Sequence, residues 1–193
     1  MNGTMTDNKI RCGWCTSDRD YVDYHDNEWG VPIRDTAGLY RLLSLEGMQA
    51  GLSWLTILRK RAAMSDAFFD FDIERLASSS EREVSNWLKD ASIIRHRGKL
   101  EALIQNARAV QEVDDFAALI WSYAPQKQPV YKKLADVPAS TLESTNMSKA
   151  LKKAGFNFVG PTICYAFMQS AGLVNDHLVD CWRYDTCEKL QMR

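Results

Sequence analysis

The chain has 193 residues, enough for one domain with a real core or for two small lobes sharing one. Hydrophobic residues make up 46% and charged residues 25%, a soluble globular profile, and no apolar run approaches the roughly 18–20 residues of a membrane span. A net charge of −1 excludes the global basic field of a protein that coats DNA non-specifically, but not one that makes a few local contacts.

Residues 1–9, MNGTMTDNK, are polar and lack the apolar stretch of a secretory signal. They are expected to form a short mobile tail on a cytoplasmic protein, with residues 10–193 as one domain. The five cysteines are Cys12, Cys15, Cys164, Cys181 and Cys187. An odd number without an export signal favours metal ligation or free thiols over a disulfide framework. Cys164 lies in the apolar run Thr162–Phe167 and reads as a buried core thiol.

The N-terminal third is crowded with aromatic residues: Trp14, Tyr21, Tyr24, Trp29, Tyr40 and Trp54. Such side chains usually fill cores, but they are also what a pocket needs to hold an extruded nucleobase, above all a cationic one. Glu46 follows in a mostly apolar stretch, where a carboxylate must find a partner or stay solvated. Ser53 is a plausible N-cap for a helix whose apolar face is expected at Leu55, Leu58 and Ala62. Ser80 and Glu83 have capping-box spacing, with Val84, Trp87 and Leu88 as the buried side of the helix they start. Leu100, Leu103, Ile104 and Ala107 repeat at i, i+3, i+4 and i+7, one face of a further helix.

Basic residues cluster at Arg59–Arg61, at Arg95–Arg97 with Lys99, and at Lys149 with Lys152 and Lys153. Each cluster taken singly reads as a solvated helix face. His96, inside the second cluster, is expected to face DNA or solvent. The stretch from Pro125 to Ser140 contains Pro125, Pro129 and Pro138 and reads as a long connection. After it, a lysine-bearing helix is expected to end at Gly155, a residue suited to the left-handed C-cap, with Phe156 and Val159 plugging the turn into the core. Gly160 then opens an apolar helix through Met168, and N–H groups at such a start suit a phosphate. Alternating strand patterns are nearly absent. The predicted fold class is all-α.

Two of the three histidines lie near cysteines. Cys12 with His25, and His177 with Cys181, together make a Cys₂His₂ set of the kind that closes a tetrahedral zinc site. Read by spacing alone, the four could equally be unrelated residues, and Cys12 with Cys15 could supply a C-x-x-C pair that leaves His25 free.

Several blocks together resemble the 3-methyladenine DNA glycosylase I family of bacterial base-excision enzymes. They are Arg11–Trp14, Tyr24–Pro32, Leu45–Gly47 with Ala50–Trp54, Ile93–Lys99, Gly155–Gly160 and Gly172–His177. They occur in order and cover essentially residues 10–182. The resemblance implies an all-α helix-hairpin-helix fold, the hairpin at about residues 151–170, with one structural zinc joining the N- and C-terminal segments through Cys12, His25, His177 and Cys181.

It also implies that Glu46, Tyr24 and Trp54 form the base pocket, lined or supported by Tyr21, Trp14 and Trp29, with Glu46 as the catalytic residue. Gly51 and Leu52 would enter the gap left by the flipped base, and Gly155, Phe158 and Gly160 would meet the DNA backbone. The resemblance further implies that the catalytic aspartate of other helix-hairpin-helix glycosylases is missing, with Asn175 near its expected place. Met48 and Ser92 depart from the family's usual glutamine and glycine, and the tail after Cys181 is unlike the family's. The expected protein is a monomeric, monofunctional glycosylase acting on double-stranded DNA that contains alkylated bases, with no membrane partner. A non-catalytic, zinc-stapled damage-binding module is the alternative. A zinc hydrolase would need an open metal position, and no H-E-x-x-H is present.

Overall fold

A computed structural model describes residues 7–128 and 130–192; of the expected 1–9 tail, residues 1–6 lie outside them. The described residues form ten α-helices and no strand: α1 (Arg19–Asn27), α2 (Thr36–Gln49), α3 (Trp54–Ala67), α4 (Ile73–Ala77), α5 (Glu81–Trp87), α6 (Arg97–Gln111), α7 (Phe116–Trp121), α8 (Leu142–Lys153), α9 (Pro161–Ser170) and α10 (Tyr184–Gln191). The all-α expectation holds. None of these helices is long and apolar enough to cross a membrane.

Local chemistry explains most helix starts. Asp18, Asp35, Ser53, Asp72 and Asp115 each accept a backbone N–H in the first turn of the helix they precede, filling donors that the helix itself cannot satisfy. The Ser80–Glu83 capping box is formed, and Thr141 with Ser144 makes a second. His96 caps α6, its Nδ1 accepting from Lys99 N at 3.3 Å.

Helix α2 is the centre of the molecule, packing against α3, α6, α7 and α9. Leu39, Tyr40 and every residue from Leu42 to Met48 are buried, so it has no solvated face through that stretch, and Glu46 is carried inside with it. The predicted stripe of α6 is buried at Leu100, Leu103, Ile104 and Ala107. That of α3 is not where the sequence suggested: Trp54, Ile57 and Met64 are buried, Leu55 and Leu58 only partly, and Ala62 is exposed. Two adjacent apolar arcs run along α3, and the one bearing the larger Trp and Met side chains turns inward.

Helices α8 and α9 form a tightly packed hairpin. Gly155 follows the C-cap of α8 at φ +91°, the left-handed conformation glycine adopts without penalty. Phe156 and Val159 are buried as expected, and Ser148 of α8 donates to Val159 O at 2.6 Å. Gly160 caps α9 without a side-chain acceptor. The Pro125–Ser140 connection carries a 3₁₀ turn at Leu134–Asp136 and is tied down by Val179 N donating to Tyr131 O at 3.1 Å.

Candidate active site and metal centre

A cavity of about 460 Å³ lies between the end of α2, the start of α3, α1 and α9, within the usual range for small-molecule sites. All six predicted base-pocket residues border it: Trp14, Tyr21, Tyr24, Trp29, Glu46 and Trp54. Tyr24 and Trp54 sit ring to ring at 5.2 Å, and Trp14 packs edge-on against Tyr21 at 5.9 Å and Trp29 at 5.0 Å. Trp54 lies at the first turn of α3, held by the Ser53 cap.

Glu46 is 2% exposed. Its Oε1 accepts a 2.7 Å hydrogen bond from Ser170 Oγ, and Ser170 in turn accepts one of 2.9 Å from the Tyr24 hydroxyl. Burial pushes the Glu46 carboxyl up from 4.5 to about 7, while the Ser170 bond pulls it down. The Tyr24 phenol is held well above its ordinary value, chiefly by burial and then by the nearby Glu46. One aromatic-walled cavity thus contains a carboxylate that can lose or hold its proton near neutrality.

Sequence reasoning missed several wall residues. Asp176 borders the cavity beside Gln169, and its Oδ2 accepts from Tyr165 Oη at 2.6 Å and Gln169 Nε2 at 2.8 Å. Asn175, by contrast, is turned away, donating to Tyr184 O at 3.1 Å. Leu134 and Val137, from the irregular connection, supply a further wall. Their apolarity inside a Pro-rich loop was the one available signal.

At the rim, Gly51 has φ +77° and Leu52 is 42% exposed, so the turn between α2 and α3 presents an apolar side chain to solvent. Lys99 holds this turn. It was grouped with solvated basic residues, yet it is 6% exposed and donates to Met48 O at 2.9 Å and Ala50 O at 2.6 Å, two carbonyls at the negative end of α2. The other members of the basic runs are partly spent inside the protein too. Arg59 pairs with Asp18 and Asp20, Lys60 donates to Ala91 O and Ser92 O, and Arg61 makes a two-pronged pair with Glu28. His96 is exposed. Its ring lies 6.0 Å from that of Phe158, which adopts φ +54° in the α8–α9 turn.

Cys12, His25, His177 and Cys181 converge from the two ends of the chain, all buried, with their ligand atoms within 4.8 Å of one another. The Cys12 and Cys181 sulfurs are each 3.5 Å from His177 Nδ1, and Cys181 Sγ is 3.4 Å from His25 Nε2. A tetrahedral zinc ion with bonds of about 2.3 Å to sulfur and 2.0–2.1 Å to nitrogen would set such pairs about 3.6 Å apart. The donor set and its spacing therefore fit a closed metal site. The outer nitrogens are also committed: His25 Nδ1 bonds Asp26 Oδ1 at 2.8 Å, and His177 Nε2 donates to Trp29 O at 3.1 Å. Such partners fix the tautomer that presents the inner nitrogen to a metal. Cys15 stays outside the cluster, its sulfur beside Thr16 O and Tyr21 O.

Residues 14–184 match the methyladenine glycosylase family model. The chain is 48% identical over 180 residues to DNA-3-methyladenine glycosylase 1 of Escherichia coli (strain K12), spanning 90% of this chain and 96% of that protein. A crystal structure of a 3-methyladenine DNA glycosylase I superposes with a TM-score of 0.86 at 47% identity, covering 90% of this chain and 98% of the other. A substituted 3-methyladenine DNA glycosylase I, solved in complex with 3-methyladenine, superposes at 0.85 with 37% identity, over 90% of this chain and 97% of the other. The chain belongs to the methyladenine glycosylase family.

Proposed function

We propose that this protein is a monofunctional DNA glycosylase that flips N3-methyladenine out of alkylated double-stranded DNA and excises it by hydrolysis. The observation that carries this reading is the buried Glu46 inside an aromatic cavity bordered by Tyr24 and Trp54. Methylation at N3 makes adenine cationic, and the base departs neutral, so the glycosidic bond is already weak. The protein's task is then extrusion, stacking and electrostatic selection more than acid catalysis. Tyr24, Trp54, Trp14, Tyr21 and Trp29 enclose the base, Glu46 accepts from its amino edge, and water attacks the sugar. Among the described residues no lysine borders the cavity, in keeping with hydrolysis rather than Schiff-base chemistry.

The α8–α9 pair serves as a helix-hairpin-helix. Gly155, Phe158 and Gly160 approach the DNA backbone, and the first turn of α9, which has no side-chain cap, offers its N–H groups to a phosphate. Leu52, on the Gly51 turn, fills the vacated stack. One zinc ion on Cys12, His25, His177 and Cys181 would act structurally, because four protein ligands leave no open position. Residues 10–193 act as a single domain of a monomeric cytoplasmic protein. The deciding experiment measures release of 3-methyladenine from alkylated DNA by wild type and Glu46→Gln, with 7-methylguanine as control and borohydride trapping alongside. Selective release that falls in the variant is expected. No release by folded, zinc-loaded wild type overturns the enzyme reading in favour of a damage-binding module.

A further inference from the structure

Ser170 is a buried residue at the end of α9 that no motif singled out. Its single hydroxyl proton goes to Glu46 Oε1, 2.7 Å away, so its oxygen must accept from Tyr24, 2.9 Å away. The chain of bonds therefore has one direction, Tyr24 to Ser170 to Glu46, and it ends on an oxygen that only accepts. Among the described residues Glu46 Oε2 has no hydrogen-bond partner, the carboxylate's bond being the one from Ser170 to Oε1.

We propose that Ser170 is a positioning and specificity residue: it holds Glu46 as a carboxylate and reserves Oε2 for a base edge that donates, so that the pocket favours methylated adenine over methylated guanine. Adenine carries an N6 amino donor where guanine carries an O6 acceptor. A carboxylate accepts from the first and repels the second, whereas a protonated Glu46 could donate to O6. Resting on the glycosylase reading above, the proposal names what sets the selectivity of that site.

Burial alone favours the protonated acid, and Ser170 supplies the one hydrogen bond opposing it. Other groups with variable or fixed charge lie near. Tyr21 and Tyr24 come from α1, and Cys12 and Asp176 come from the chain ends. On α6, Lys99 sits at the Met48 and Ala50 carbonyls. Changing Ser170 to Ala also takes away the acceptor of the Tyr24 hydroxyl, which Ser170→Thr retains; Asp176 keeps its own donors, Tyr165 and Gln169.

The test compares wild type, Ser170→Ala and Ser170→Thr. Removing the donor should raise the Glu46 titration by about one pH unit, and Thr, which keeps a hydroxyl, should hold it near wild type. The acidic limb of kcat/KM for 3-methyladenine reports the free enzyme. Activity is lost below that limb, so in the Ala variant the limb moves up, and activity recovers toward wild type at pH 9. At pH 7 the ionised fraction falls from about one half to about one tenth, and the release ratio of 3-methyladenine to 3-methylguanine drops about tenfold.

Carbon-13 NMR of labelled Glu46, assigned by loss of its signal in Glu46→Gln, reads the same titration without turnover. A titration unchanged in Ser170→Ala overturns the proposal. So does an activity loss equal at every pH with the selectivity ratio unaltered. If wild type released no base at all, the glycosylase reading would fail, while the NMR titration would still judge the Ser170–Glu46 link.

Discussion

Replacing Glu46 by glutamine keeps the side chain's shape and removes its charge at a point where the fold disfavours that charge. The carboxyl is raised from 4.5 to about 7 by complete burial, with Ser170 offsetting part of the effect. At about 1.4 kcal/mol per pH unit, ionised Glu46 lowers the stability of the folded chain by about 3 kcal/mol. Between the unfolded and folded values the native state holds the extra proton, so stability falls as pH rises through this window and is fully reduced above pH 7. The variant should match wild type near pH 4.5 and exceed it by about 3 kcal/mol at pH 8, less whatever the new amide N–H₂ loses for want of an acceptor. Its excision should fall roughly 10- to 150-fold, the equivalent of a charge-assisted hydrogen bond of about 1.5–3 kcal/mol. Urea unfolding at the two pH values, with base release on the same samples, measures both. A variant no more stable than wild type at pH 8, or equally active, would refute the view that Glu46 is kept for function against the preference of the fold.

Metal analysis of protein purified without chelator should find one zinc per chain, and Cys181→Ala should lose it together with a large part of the thermal stability; a metal-free, unchanged transition would count against the closed site. Trp54→Ala should lower 3-methyladenine release by roughly 5- to 150-fold, as expected for a lost base–aromatic stack of about 1–3 kcal/mol, with single-turnover rates as the measure. Leu52→Ala, at an exposed tip, should leave stability within about 0.5 kcal/mol. It should slow excision from duplex DNA more than from single strands, where no stack needs filling; equal slowing on both would remove Leu52 from the wedge.

Local rules were legible in the sequence where a single helix or turn decides the outcome. The Ser80–Glu83 box, the α6 stripe, the Gly155 C-cap and the two Cys–His pairs are short-range patterns, and the structure contains them all. What escaped depends on which elements meet. The inward face of α3 was misplaced because two apolar arcs lie side by side and only the neighbouring helices choose between them. Lys99 looked like surface charge because its partners, the carbonyls ending α2, lie 51 and 49 residues away. Ser170 is 124 residues from Glu46 and 146 from Tyr24, and a serine in an apolar helix carries no local sign of either bond. The family resemblance named aromatic residues and Glu46 that border one cavity, but not the other residues that border it, such as Asp176, Leu134 and Val137.

The Cys/His cluster and the aromatic cavity are one construction. Cys12, Trp14 and Trp29 border the cavity; Cys12 is itself a cluster residue, and the Trp14 ring lies 5.3 Å from that of His25. The Trp29 ring lies 4.6 Å from that of His177, and the Trp29 carbonyl accepts a hydrogen bond from His177 Nε2. Asp26, bonded to His25, is clasped by Arg11, which also binds Asp7. Gly30, at φ +79°, passes so close that an added Cβ would come within 3.2 Å of His177. A metal joining the chain ends here would stiffen the aromatic wall on which the proposed flipped base stacks, and ordering that wall in advance would remove a cost that binding otherwise carries. A metal held by these four residues would therefore bear on how well the proposed pocket holds a base without taking part in the chemistry.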